Sequence, residues 1–287
     1  MRSGGASSIT AGDVWSAGQY TAFIKERALE HLAESPFVLR VMADALPRLG
    51  GAGDRGRHGG RPRLITQAHV FEAFLEAWWE KEQGRLWKQP PGGLPADFDA
   101  ARSYTNFGQD LAVEMLARGQ LAAESTAGLY VKGGLARSPW TRFFKQTPVI
   151  AAARQGVPLR QSGRMCSFVH KSIAEYMAAC AMWEEVLAVV EGQDVDASWS
   201  LNRVVTAEQP AVLGFLVDML RSVPKAGEGP SEAQLSHVRV VAALHAVVRQ
   251  SADAGRGGEA VGVASANAAG VLAQAGVQLC GAAWRGA

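Results

Sequence analysis

Three observations predict a mainly α fold. Apolar residues recur at three- and four-residue steps in segment after segment, which keeps them on one side of a helix. Hydroxyl residues followed by proline, or by glutamate or glutamine three positions on, mark helix starts between those segments. Only Val157 to Arg160 and Met165 to Val169 read as short strands, separated by Gln161 to Arg164 with a turn near Gly163. Several helices followed by a two-stranded hairpin is a winged-helix order. The chain accordingly divides into a first helical hairpin (12–50), a flexible Gly/Arg loop (51–63), a winged-helix-like domain (64–182), a second helical domain (183–275) and the start of a repeat region (276–287).

The first hairpin opens with a helix from about Gln19 to Leu32, with Tyr20, Phe23, Ile24, Ala28 and Leu32 on one face. Ser35 and Pro36 then cap and start a second helix, whose stripe Val38, Val41, Met42, Ala45 and Leu46 runs to Pro47. The stretch 50–63 lacks apolar periodicity and is rich in glycine and arginine, the composition of a solvated loop. Thr66 caps the next helix, which carries Val70, Phe71, Phe74, Leu75 and Trp78. A loop at Gln89 to Pro95 leads to a helix within Phe98 to Leu121, striped by Phe107, Leu111 and Met115. Ser138 and Pro139 open a helix with Trp140, Phe143 and Phe144, and a short one follows from Pro148.

The chain is organised around Ser167 to Trp183, which joins a strand to a helix and sets one histidine at the joint. Ser172 and Glu175 stand at capping-box spacing, so the helix is expected to begin near Ile173. Ile173, Tyr176, Cys180, Trp183 and Leu187 then define the side expected to be buried. His170 lies two residues before that cap, where amide groups and the helix dipole favour an anion such as phosphate. A lone histidine at a strand end is more often packed or hydrogen-bonded without a ligand.

Beyond this helix, Thr206 and Gln209 precede Pro210 and the stripe Val212, Phe215, Leu216, Met219. Ser231 and Gln234 repeat the start signal before Leu235, Val238 and Val241, and an alanine-rich helix spans about Ala260 to Ala275. The closing residues hold Gly281 and Gly286, and Leu279 and Trp284, five apart, as in pentapeptide-repeat solenoids. One period cannot bury its own core.

Composition excludes several classes. With 29 Lys plus Arg against 27 Asp plus Glu, the net charge of +2 gives no global pull toward nucleic acid or anionic membrane. Cys166, Cys180 and Cys280 lack metal-ligand spacing and are odd in number, which suits reduced thiols in a cytoplasmic protein. The first residues have no apolar signal-peptide core, and the uncharged run 260–284 is too rich in glycine and amides for a hydrocarbon-facing helix. No G-x-x-x-x-G-K-[ST], G-x-S-x-G, H-E-x-x-H or C-x-x-C occurs, so the chain is read as not an enzyme by itself. Cys166 and His170 are about 13 Å apart along an extended strand, and His237 and His245 roughly 12 Å apart along a helix, too far to act in pairs.

The residues Phe168, His170, Ser172, Glu175, Tyr176, Ala178 and Ala179 form F-x-H-x-S-x-x-E-Y-x-A-A, which resembles the winged-helix signature of NACHT-type signal-transduction (STAND) NTPases. In that family the histidine reaches the β-phosphate of bound ADP and helps to hold the resting state; the resemblance gives that role to His170. The segment SPFVLRVMADALP likewise resembles the family's first helical domain, whose proline packs on the adenine ring, the contact implied for Pro36. An ordinary first-turn proline accounts for Pro36 equally well. The implied function is the regulatory, nucleotide-sensing part of such a switch, either a fragment or a chain without its P-loop portion. ADP or ATP is then bound only together with an NTPase core of the same parent protein, with other proteins as further partners and neither nucleic acid nor membrane expected. Two rivals remain: a winged-helix nucleic-acid reader using Arg137, Arg142 and Lys145, against which Asp97, Asp99, Asp110 and Glu114 argue, and a helical protein-interaction scaffold.

Overall fold

The computed structural model describes residues 15–50, 65–88, 92–125, 138–224, 236–253 and 261–278. It is mainly helical, with a small antiparallel sheet, as the sequence predicts. The chain divides into two compact units, Met1–Lys81 and Glu82–Ala287.

In the first unit, α1 (Ala17–Glu26) starts at Ser16, whose hydroxyl accepts from the Gln19 amide while the Gln19 side chain accepts from the Ser16 amide. The single helix expected to run to Leu32 is broken. Ala28 takes a left-handed φ of 53°, which a β-carbon disfavours inside a helix, and the chain resumes as a 3-10 turn, Glu30–Leu32. Helix α2 (Pro36–Leu49) begins at Ser35, and Val38, Val41, Met42, Ala45 and Leu46 are all buried as the stripe requires. It passes through Pro47 to Leu49 instead of stopping there. Helix α3 (Gln67–Lys88) starts at Thr66, and His69 completes the cap: its Nδ1 accepts from the Thr66 amide at 3.1 Å and lies 3.0 Å from the Thr66 hydroxyl. Imidazole here takes the place that glutamate or glutamine fills in a capping box.

The second unit begins within the last turns of α3, at Glu82, and continues with α4 (Ala100–Ala117), capped by Asp99, and β1 (Ala123–Glu124). Where Ser138 and Pro139 suggest a helix, the chain forms only a 3-10 turn, Thr141–Phe144, that buries Phe143 and Phe144. After α5 (Pro148–Gly156) comes the expected hairpin, β2 (Leu159–Ser162) and β3 (Met165–Phe168), joined through Gly163 at φ 59°. Leu159 pairs with Phe168 and Ser162 with Met165. The two-residue β1, unseen in the sequence, pairs Ala123 with Cys166, so β3 is the middle strand.

Helix α6 (Lys171–Val190) is the axis of this unit, packed against α4, α7 (Ser200–Arg203), α8 (Pro210–Ser222) and α9 (His237–Asp253). Its burial is not the one-sided stripe expected. Every residue from Ile173 to Ala179 is buried, with Met182, Val186 and Val189, while Cys180, Trp183 and Leu187 are only partly covered. A helix with neighbours on several sides has no single apolar face. Close approach to α4 occurs at Gly108, where a β-carbon would meet Met177 Cε at 2.2 Å.

The start signal at Thr206 and Gln209 resolves differently from a capping box. Thr206 enters a 3-10 turn, Thr206–Glu208, and Gln209 precedes α8 without a side-chain cap. Ser231 and Gln234 lie outside the described residues. On α9 the buried face is Val240, Ala243, Leu244, Val247 and Val248, and Val238 is exposed, so the face read from Val238 and Val241 is displaced; Leu235 lies outside the described residues. Helix α10 (Gly262–Gln274) packs on α9, α8 and α7. The five-residue spacing at 279–286 lies outside the described residues.

Candidate functional site

The joint between β3 and α6 is built by His170 itself. The residue is extended, with φ −149° and ψ 147°, and acts as the N-cap. Its Nδ1 accepts from the Ser172 amide at 3.1 Å, and its carbonyl accepts from the Ile173 amide at 3.1 Å. The capping box expected between Ser172 and Glu175 therefore does not form; helix α6 starts at Lys171, two residues earlier than expected. Glu175, only 5% exposed, instead meets Lys171 Nζ at 3.0 Å along the helix.

This geometry fixes the chemistry of the ring. A neutral imidazole whose Nδ1 accepts carries its proton on Nε2, so the outer nitrogen is a donor. Burial holds the pKa of His170 below the ordinary histidine value, against the opposing pull of the Glu175 carboxylate. The ring is half-buried, so it is neither sealed in the core nor fully solvated. It also stands at the positive end of a 20-residue helix.

Pro36 occupies the first position of α2, follows the Ser35 cap and is exposed. It belongs to the first unit and His170 to the second. Cys166 is buried in β3, and burial raises its thiol pKa, with Arg154 pulling the other way, so it lacks the thiolate character of a nucleophile. Among the described residues no group of three His, Cys, Asp or Glu is placed to hold a metal ion, and no helix is long and apolar enough to cross a membrane.

Two polar clusters escaped the sequence reading. Glu114, 5% exposed on α4, receives Arg118 Nε at 2.6 Å, Arg203 Nη2 at 2.7 Å and Arg142 Nη2 at 3.3 Å. Burial raises the Glu114 pKa, but hydrogen bonds from Arg203 and Arg118 and their charges outweigh it and leave a net depression. Arg142 is thus drawn to a buried carboxylate and stacks 4.6 Å from the Phe143 ring. The second cluster holds the short helix α7: Glu185 accepts from the Ser200 and Leu201 amides, both at 2.7 Å. Asn267 donates to the Leu201 and Val204 carbonyls. Beside α7 lies a cleft of about 440 Å³ lined in part by Asp110, Glu184, Glu185 and Trp199. Apart from Arg118, one helical turn from Glu114, the partners in these clusters are 15 to 89 residues apart, beyond the reach of helical periodicity.

No family model matches the chain, and neither a curated protein nor a solved structure matches it.

Proposed function

We propose that the chain is the regulatory, nucleotide-sensing segment of a NACHT-type signalling switch, with residues 64–182 as its winged-helix module. The observation that supports this reading most is the Ser172 amide donating to His170 Nδ1 at 3.1 Å, which puts the neutral ring's proton on Nε2 and makes that nitrogen a donor at the electropositive start of α6. Such a donor suits the terminal phosphate of ADP held on a separate P-loop core. Pro36, exposed at the start of α2, takes the edge of the adenine ring in the same reading. The chain supplies no P-loop, so hydrolysis belongs to the core. ADP favours the closed arrangement, exchange to ATP releases the module, and the switch works by shifting a two-state population in a cytoplasmic setting.

The nucleic-acid rival is weakened because Arg142 is committed to Glu114 and Phe143. The test is ADP binding by the chain assembled with a NACHT-type core. His170→Ala is expected to weaken ADP about tenfold, the order of one hydrogen bond to a charged group. Unchanged ADP affinity, or a steep salt-dependent affinity of the chain for DNA, would overturn the reading.

A further inference from the structure

An N-cap must accept a hydrogen bond, and imidazole accepts only while neutral. Ser, Thr, Asp and Asn cap at every ordinary pH; the cap of α6 is instead His170 Nδ1, 3.1 Å from the Ser172 amide. A proton on Nδ1 would turn the acceptor into a donor facing a donor, and it would place positive charge at the positive end of the helix dipole. We propose that His170 is a protonation-sensitive pin at the joint of β3 and α6: the neutral ring caps the helix, the imidazolium releases it.

The surroundings confine the release to the first turn. On one side, the Val169 amide is held by the Pro158 carbonyl at 3.0 Å, which ties the residue before the joint to the start of β2. On the other, Ile173 is fully buried and anchors the helix one turn in. The Glu175 carboxylate acts on the ring through its charge and is itself paired with Lys171 Nζ at 3.0 Å. Glu175 pulls the ring toward its charged form and burial pulls it away, with burial the larger. Lys171, paired with that carboxylate, offsets part of its pull on the ring.

This inference does not depend on the nucleotide reading, since it concerns the chain alone. It is tested on the full chain by histidine nitrogen NMR and by amide exchange at Ser172, from pH 8 to pH 5. The expected results are a ring protonated on Nε2 at pH 8, a midpoint below the ordinary 6.5, and about a fivefold loss of Ser172 protection once the ring is charged, the order of one lost cap. His170→Asn, which keeps a cap that does not titrate, should hold its Ser172 protection throughout. Lys171→Met should raise the His170 midpoint. A proton on Nδ1 at pH 8, equal pH responses of Ser172 in wild type and H170N, or an unmoved midpoint in K171M would each overturn the proposal.

Discussion

Arg203 donates from Nη2 to Glu114 Oε2 at 2.7 Å, joining the short helix α7 to the last turn of α4 across 89 residues. The same carboxylate holds Arg118 on its own helix and Arg142 on the 3-10 turn. One buried charge thus locates three segments that share no local sequence pattern. Its removal leaves three guanidiniums without their common acceptor.

Glu114→Gln should therefore destabilise the second unit markedly. Breaking a buried ion pair from one side costs about 3–5 kcal/mol, and the partial exposure of the arginines lowers this to about 2–3 kcal/mol. Chemical denaturation of wild type and variant measures it. Because the folded-state pKa of Glu114 lies below its unfolded value of 4.5, the stabilisation is fully present above that pH. It is lost as pH falls through the depressed folded-state value, so wild type and variant should converge in acid.

Asn267 is 2% exposed and spends all four of its hydrogen-bonding positions on one turn of chain. Its amide nitrogen donates to the Leu201 carbonyl at 2.8 Å and the Val204 carbonyl at 2.6 Å, and its oxygen accepts from the Thr206 amide and hydroxyl. Asn267→Leu keeps the branched shape but strands these groups, each at about 1–3 kcal/mol if left buried. Amide exchange should quicken at Thr206 ahead of the rest of the unit; unchanged exchange there would contradict the assignment.

Two glycines should respond unequally to alanine. A β-carbon at Gly156 would fall 2.1 Å from the Tyr104 ring, which is 1% exposed and rigid. At Gly108 the obstacle is the end of Met177, a side chain with three rotatable bonds. Overpacking of a core costs about 1–3 kcal/mol, and G156A should reach or exceed the upper end while G108A stays near the lower. Thermal melts of the two variants give the comparison.

What the sequence discloses and what it conceals follow from range. The Ser35 cap, the α2 stripe and the Gly163 turn were legible because each is decided within four residues. Strand β1 was hidden because two residues carry no periodicity, and it exists only through pairing with β3. The joint at His170 was located correctly but assigned the wrong cap. Ser172 and Glu175 have the right spacing, yet Lys171 claims the carboxylate and the imidazole reaches the Ser172 amide first. The burial of α6 was misjudged because periodicity reports one face and this helix is packed on several. Glu114, read as part of an acidic surface, turned out to be buried because arginines distant in sequence converge on it.

The central claim is that the outer nitrogen of His170 donates to a nucleotide phosphate presented by a P-loop core. Its most direct measurement is the nitrogen chemical shift of His170 Nε2 in the chain assembled with such a core, as ADP is added. The account expects a saturable shift at Nε2, with Nδ1 unmoved on its cap, and no shift when AMP, which lacks the β-phosphate, replaces ADP. An Nε2 signal indifferent to ADP at saturating nucleotide would contradict it.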